Sequence, residues 1–159
     1  MAKTLFMETT QITAEKTAGE IMATLVSSGA RQIALDYDAG RISGLSFVLP
    51  VNGLHLLFKL PSRVEPVFKV LNERRPAETW QRGNQKDWAE RDRQQAERVA
   101  WRQLLRWLQA QVAMVSTGMV AAQEVFLPYM QDQDGKTVYE MFAESKFKML
   151  AAPAEGQER

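Results

Sequence analysis

Along Trp88 to Thr117, Trp101, Leu104, Leu105, Leu108, Val112 and Val115 recur at the spacing of one helix face. This predicts a single helix of about eight turns at ~3.6 residues per turn, with an apolar seam covering roughly a third of its circumference. Gly118 supplies the stop, because glycine just past a helix adopts the left-handed conformation without a Cβ penalty. On the same projection Arg91, Arg98, Arg102 and Arg106 align about 120° from the seam, with Trp88 at their edge. The helix thus carries an oily face and a guanidinium face.

Ahead of it, Thr13 caps a shorter amphipathic helix from Ala14 to about Ser28, with Ala18, Ile21, Met22 and Leu25 on its apolar side and Gly29 as its stop. Lys3 to Thr9 suits either a short edge strand or a disordered lead-in. From Arg31 to Leu60 the apolar period changes to two. Asn52-Gly53 is a hairpin signal that pairs Leu49 with Leu56, Phe47 with Phe58 and Leu45 with Leu60. A three-residue loop at Asp38-Ala39-Gly40 then pairs Ile33 with Leu45 and Leu35 with Ser43, which places the first strand's apolar residues on that same face. The opposite face carries Ala34, Asp36, Ile42, Gly44, Ser46, Val48, His55, Leu57 and Lys59, too mixed for a core and too apolar for a fully solvated surface. Gly44 marks a bulge or a close backbone approach.

Ser62 to Glu65 fits a capping box opening a short helix through Leu71. Residues 72–86 read as a mobile polar loop exposing Trp80. Val120 to Met130 fits helix or strand, with Val125, Phe126, Leu127 and Tyr129 packing inward. Thr137 with Glu140 forms a second capping box for a helix through Phe147, and residues 151–159 read as a disordered tail. The expected fold is one α+β domain over residues 1–150. In it, a three- or four-stranded antiparallel meander packs against the N-terminal and long central helices, with further helices at the C-terminus.

Composition narrows the chemistry. The 159 residues contain no cysteine and one histidine, His55. That excludes disulfides, thiolate metal sites and a cysteine nucleophile, and leaves metal or hydrolytic centres built on histidine without partners. No catalytic constellation, nucleotide-binding glycine loop, metal site or cofactor site is expected. The net charge of +1 argues against a globally basic surface but allows a local one. No apolar run reaches membrane-spanning length and no signal-peptide core is present, so a soluble, cytoplasmic, non-enzymatic protein is expected.

Several strings resemble a group of small proteins of bacteriophages and other mobile elements, a group that carries no established activity. They are Tyr37 to Phe47 (YDAGRISGLSF), Phe58 to Arg63 (FKLPSR), Arg98 to Trp107 (RVAWRQLLRW) and Glu124 to Tyr129 (EVFLPY). The order helix, meander, long helix is also similar in outline to a thermophilic archaeal single-stranded DNA-binding domain whose sheet is cradled by helices.

The most specific chemical signal is basic and aromatic. Glu73 to Arg106 holds nine basic residues against six acidic ones, interleaved with tryptophans. Guanidinium groups suit phosphates and indole rings suit unstacked bases, so the expected partner is single-stranded nucleic acid. The candidate contacts are Lys59, Arg63, Trp80, Trp88, Arg91, Arg98 and Arg102. The plainer reading of the same arginines is a solvated helix face. The opposing function class is a protein-interaction module, such as an inhibitor of a host defence system or an assembly adaptor. In that reading the seam of helix 88–117 meets a protein partner or a second copy.

Overall fold

The computed structural model describes residues 4–76 and 84–152. Its elements run α1 (Ala14–Ser27), β1 (Gln32–Asp38), β2 (Arg41–Val51), β3 (Leu54–Pro61), α2 (Val64–Glu73), α3 (Gln85–Ser116), α4 (Ala122–Phe126) and α5 (Val138–Glu144), with 3-10 turns at Leu127–Tyr129 and Lys148–Leu150. The fold is α+β: a three-stranded antiparallel sheet in the order β1-β2-β3, with α1 and α3 packed on one face. Trp80 and residues 153–159 lie outside the described residues, as does the middle of the expected loop. Of that loop, Asn72 and Glu73 end α2 and Gln85 and Lys86 open α3, while residues 74–76 and Asn84 lie outside the helices.

The core joins Ala18, Ile21 and Leu25 of α1, Leu45, Phe47, Phe58 and Leu60 of the sheet, and Trp101, Leu105 and Leu108 of α3, each at most 1% exposed. Phe47 and Phe58, opposite each other across β2 and β3, stack with centroids 5.2 Å apart, and Phe126 meets both edge-on at 5.7 and 5.8 Å. Such aromatic geometry adds to plain burial. The middle of the α3 seam, Trp101, Leu105 and Leu108, is consumed inside the chain's own core, whereas Leu104, Val112 and Val115 are only half-buried. α3 also buries a second side. Ala96, Val99 and Ala100 are covered, and α2 packs along this half of the helix.

The sheet corrects the expected register. The β2–β3 hairpin pairs as anticipated, but in β1 Ile33 faces Phe47 and Leu35 faces Leu45, joined by a two-residue Ala39-Gly40 turn. A two-residue turn alone would put the apolar residues of β1 on the wrong face. The slip is repaired by a bulge: Asp36 pairs with Gly44 and Tyr37 with Ile42, leaving Ser43 as the extra residue. The bulge also turns Ile42, expected on the outer face, into the core at 7% exposure. Both the Ser62 N–H and the Ser62 hydroxyl donate to the Ser43 carbonyl at 2.9 Å. Ser62 is thereby unavailable as a helix cap. α2 starts instead from Arg63 in the left-handed region (φ 33°) with no side-chain cap, which overturns the first capping box.

Other local expectations divide the same way. Thr13 caps α1, accepting from the Lys16 N–H at 3.2 Å, and the Thr137–Glu140 box caps α5 reciprocally. α5 stops at Glu144, because Lys146 and Phe147 take positive φ. Residues 6–9 form turns rather than a strand, and Gln95 and Gln103 of α3 hold this segment by donating to the carbonyls of Glu8, Thr10 and Phe6 at 2.8–2.9 Å. Leu127, expected inside, is 48% exposed on its 3-10 turn, whereas Val125 and Tyr129 pack against the core.

Candidate nucleic-acid interface

Among the described residues, the expected contact residues are not gathered into one surface. Arg102 is 6% exposed and donates to Glu20 at 2.6 Å and to the Thr17 hydroxyl at 3.4 Å. The reason is that α1 lies over the flank of α3 next to the seam, so the buried arc of the helix is wider than its leucines alone indicate. Arg98, half-buried, donates to Gln95 at 3.3 Å, and Arg91 is exposed. The Trp88 ring already has the Arg75 guanidinium at 4.5 Å and that of Arg91 at 5.0 Å. Arg75 is in turn anchored by Asp92. This is a cation–π cluster that fastens the start of α3 to the end of α2, and the indole is already engaged by guanidinium groups where a base would have to stack.

Lys59, within β3 opposite Ser46, and Arg63, just past the end of that strand, come near the same carboxylate. Both face the Glu140 carboxylate, which is held below its ordinary pKa first by the Thr137 backbone N–H, then by the Thr137 side chain, with the two cations adding to the effect. The Arg63 guanidinium lies 5.5 Å from the centre of the Tyr139 ring. Leu57 on the outer sheet face is 40% exposed, and Ala34 and His55 are exposed, so α5 does not close this face. Gly44 makes no room there for a ligand, however. A Cβ on it would fall 2.8 Å from the Leu60 carbonyl oxygen, so its space belongs to β3.

Two neighbouring depressions on the α2 side of α3 were not anticipated. One, of about 260 Å³, is lined by Arg63, Val67, Gln103, Trp107 and Tyr129 among others. The next, of about 630 Å³, is lined by Phe6, Arg74, Gln103, Arg106 and Trp107. Gln103 and Trp107 form a wall common to both, so together they make a groove running from Arg63 to Arg74 and Arg106. Trp107 is half-buried, held edge-on by Tyr129 at 5.4 Å and by Phe126 at 6.0 Å. Among the described residues no carboxylate lines either depression; Glu8, which pairs with Arg74 at 3.5 Å, is the acidic group at its margin.

A third depression, about 540 Å³ beside the β1–β2 turn, contrasts with this groove. It is lined by Arg41, Arg63 and Arg93, but also by Asp38, Glu65 and Glu97. Arg41 is bound by Glu97 and Glu90 and held above its ordinary pKa by those two hydrogen bonds, and Arg93 reaches Glu65 at 3.1 Å. The positive charge of Arg41 and Arg93 is thus spent internally. The signal for the basic groove was in the sequence, since Ala100, Gln103, Leu104 and Trp107 form a second stripe at helical spacing beside the seam. What it lacked was the position of α2 and the N-terminal segment, which turn that stripe into a concavity.

No helix among the described residues is long and apolar enough to cross a membrane, and no group of their Asp, Glu or His side chains is placed to hold a metal ion. With no family model, curated protein or solved structure matching the chain, its function is to be read from these surfaces.

Proposed function

We propose that the protein is a phage-type accessory protein of the host-cell cytoplasm that binds single-stranded nucleic acid without catalysis. The contact surface in this reading is the α2–α3 groove, with Arg63 and Arg106 on phosphates and Trp107 and Tyr129 against bases. The observation that carries it is the conjunction of two exposed arginines, Arg63 and Arg106, and two aromatic rings around a concavity whose lining has no carboxylate. Guanidinium groups supply the sequence-independent phosphate term, and base-on-aromatic stacking contributes roughly 1–3 kcal/mol per base. Lys59 extends the positive surface past Arg63, and Arg91 and Arg98 belong to a separate, weaker rim.

A specific observation supports the second reading, a protein-interaction module. Met141, Phe147, Met149 and Leu150 are 40%, 42%, 81% and 68% exposed near the C-terminus, an apolar surface of the kind that proteins rather than nucleic acids cover. Tryptophan fluorescence during titration with single-stranded DNA, single-stranded RNA and duplex DNA separates the two. Quenching by single strands that is lost in Trp107→Phe supports the groove; no response to any oligonucleotide favours the interaction module.

A further inference from the structure

The two edges of the sheet differ. On the β3 side, Met130 bridges Phe58, the Gln131 N–H donates to the Leu57 carbonyl at 2.8 Å, and Pro61 ends the strand. β1 has no such cover. Among the described residues its ladder runs to β2 alone, and Gln32–Asp38 contains none of the Lys, Arg or Pro residues that commonly keep an edge strand from pairing.

The hairpins determine which backbone groups are open. The two-residue turn at Asn52-Gly53 makes Val51 and Leu54 a hydrogen-bonded pair, so alternation commits Leu45, Phe47 and Leu49 to β3 and Gly44, Ser46 and Val48 to β1. Their partners Asp36, Ala34 and Gln32 therefore spend their N–H and C=O groups on β2. Ile33, Leu35 and Tyr37 direct theirs outward. These are also the apolar side chains of β1, and they are under-covered: Tyr37 is 63% exposed and Ile33 and Leu35 are only half-buried, while Phe47 and Leu45 opposite them are fully buried.

We propose that this edge pairs with the same edge of a second copy of the chain, antiparallel and centred on Leu35, joining two meanders into one six-stranded sheet. The register follows from charge and length. Centred on Leu35, all seven strand residues find partners: Leu35 faces itself, Tyr37 faces Ile33, Asp36 faces Ala34 and Asp38 faces Gln32. A shift of the centre to position 36 sets Asp36 against Asp36, and a shift to 37 sets Asp36 against Asp38, both like-charge pairs that destabilise a sheet. A shift the other way, to position 34, leaves Asp38 without a strand partner. The Leu35 register also lays Tyr37 of each copy over Ile33 of the other, completing the burial that β1 lacks.

The test combines sedimentation equilibrium over a range of protein concentrations with cysteine cross-linking, which is free of background because the chain has no cysteine. In the proposed register Ala34 and Asp36 form a non-hydrogen-bonded pair between copies, close enough for a disulfide. The expected result is a wild-type dimer, a disulfide-linked dimer on oxidation of Ala34→Cys/Asp36→Cys, none with Ala34→Cys alone, and a shift toward monomer in Tyr37→Lys. A wild-type chain that stays monomeric at every concentration overturns the proposal. So does a dimer that the double variant fails to cross-link, or one that Ala34→Cys alone cross-links. Should Tyr37→Lys fail to fold, the cross-linking pattern decides by itself.

Discussion

Arg102 reaches the Glu20 carboxylate at 2.6 Å across the contact between α1 and α3, with the Thr17 hydroxyl 3.4 Å from the same guanidinium nitrogen. An arginine that projects as part of an exposed cationic stripe is thereby a tie between two core helices. Hydrogen bonds to charged groups contribute about 1.5–3 kcal/mol, and Glu20, whose side chain is 38% exposed, regains water when its partner is removed. Arg102→Ala should therefore cost about 1–3 kcal/mol of stability in urea denaturation, while Arg98→Ala stays within about 0.5 kcal/mol. A loss for Arg102→Ala as small as that for Arg98→Ala would show that Arg102 is a surface residue.

Gly44 sits where β3 leaves no space for a side chain. A Cβ would meet the Leu60 carbonyl oxygen at 2.8 Å and the Pro61 Cα at 3.2 Å, both backbone atoms that move only with the strand. Gly44→Ala should destabilise by about 1–3 kcal/mol, the range of overpacked cores. A thermal midpoint unchanged from wild type would contradict this placement of β3.

Leu108 is fully buried between α3 and the rest of the core. Leu108→Ala should cost about 2–5 kcal/mol through lost burial and a residual cavity. Because the side chain is consumed within one chain, the oligomeric state of the folded fraction should not change. A variant of normal stability that has changed its oligomeric state would restore the seam as an interface.

Glu140 gives the C-terminal helix a pH dependence of known sign. Its carboxylate accepts from the Thr137 N–H at 2.8 Å and is held below its ordinary pKa. A depressed folded-state pKa contributes stability that is fully present above the unfolded value and is lost as pH falls through the folded one. α5 should therefore hold its cap at neutral pH and loosen only below the usual carboxylate range. In Glu140→Gln that acid step in the Thr137 amide NMR shift should vanish; a step that persists would assign it to another carboxylate.

Periodicity made α1, the meander and the seam of α3 legible, because an apolar spacing of 3.6 or 2 reports directly on which face is buried. It located Thr13 and the Thr137–Glu140 box because capping is local chemistry. It failed where a distant element competes for the same group. Ser62 has capping-box spacing, but the orphan carbonyl of the Ser43 bulge takes its hydroxyl, and no local rule shows that bulge. Arg102 lay outside the expected core because the position of α1 over α3 is a tertiary fact. For the candidate site, Arg63 is among the contacts expected from the sequence, and Trp107 projects beside the seam at helical spacing. Their common groove depends on α2, on Tyr129 and on the N-terminal segment held by Gln95 and Gln103.

The central claim is that the α2–α3 groove binds single-stranded nucleic acid, and the salt dependence of oligonucleotide affinity in Arg63→Ala/Arg106→Ala tests it most directly. Both arginines are exposed, so the variant should fold as the wild type does. On single strands log affinity falls against log salt with a slope of roughly −0.7 per phosphate contacted. The wild type should bind with a negative slope, and the double variant should bind more weakly with a slope flatter by about 0.7 for each lost contact. A wild type that binds no single strand at low salt, or a double variant with unchanged affinity and slope, would contradict the account.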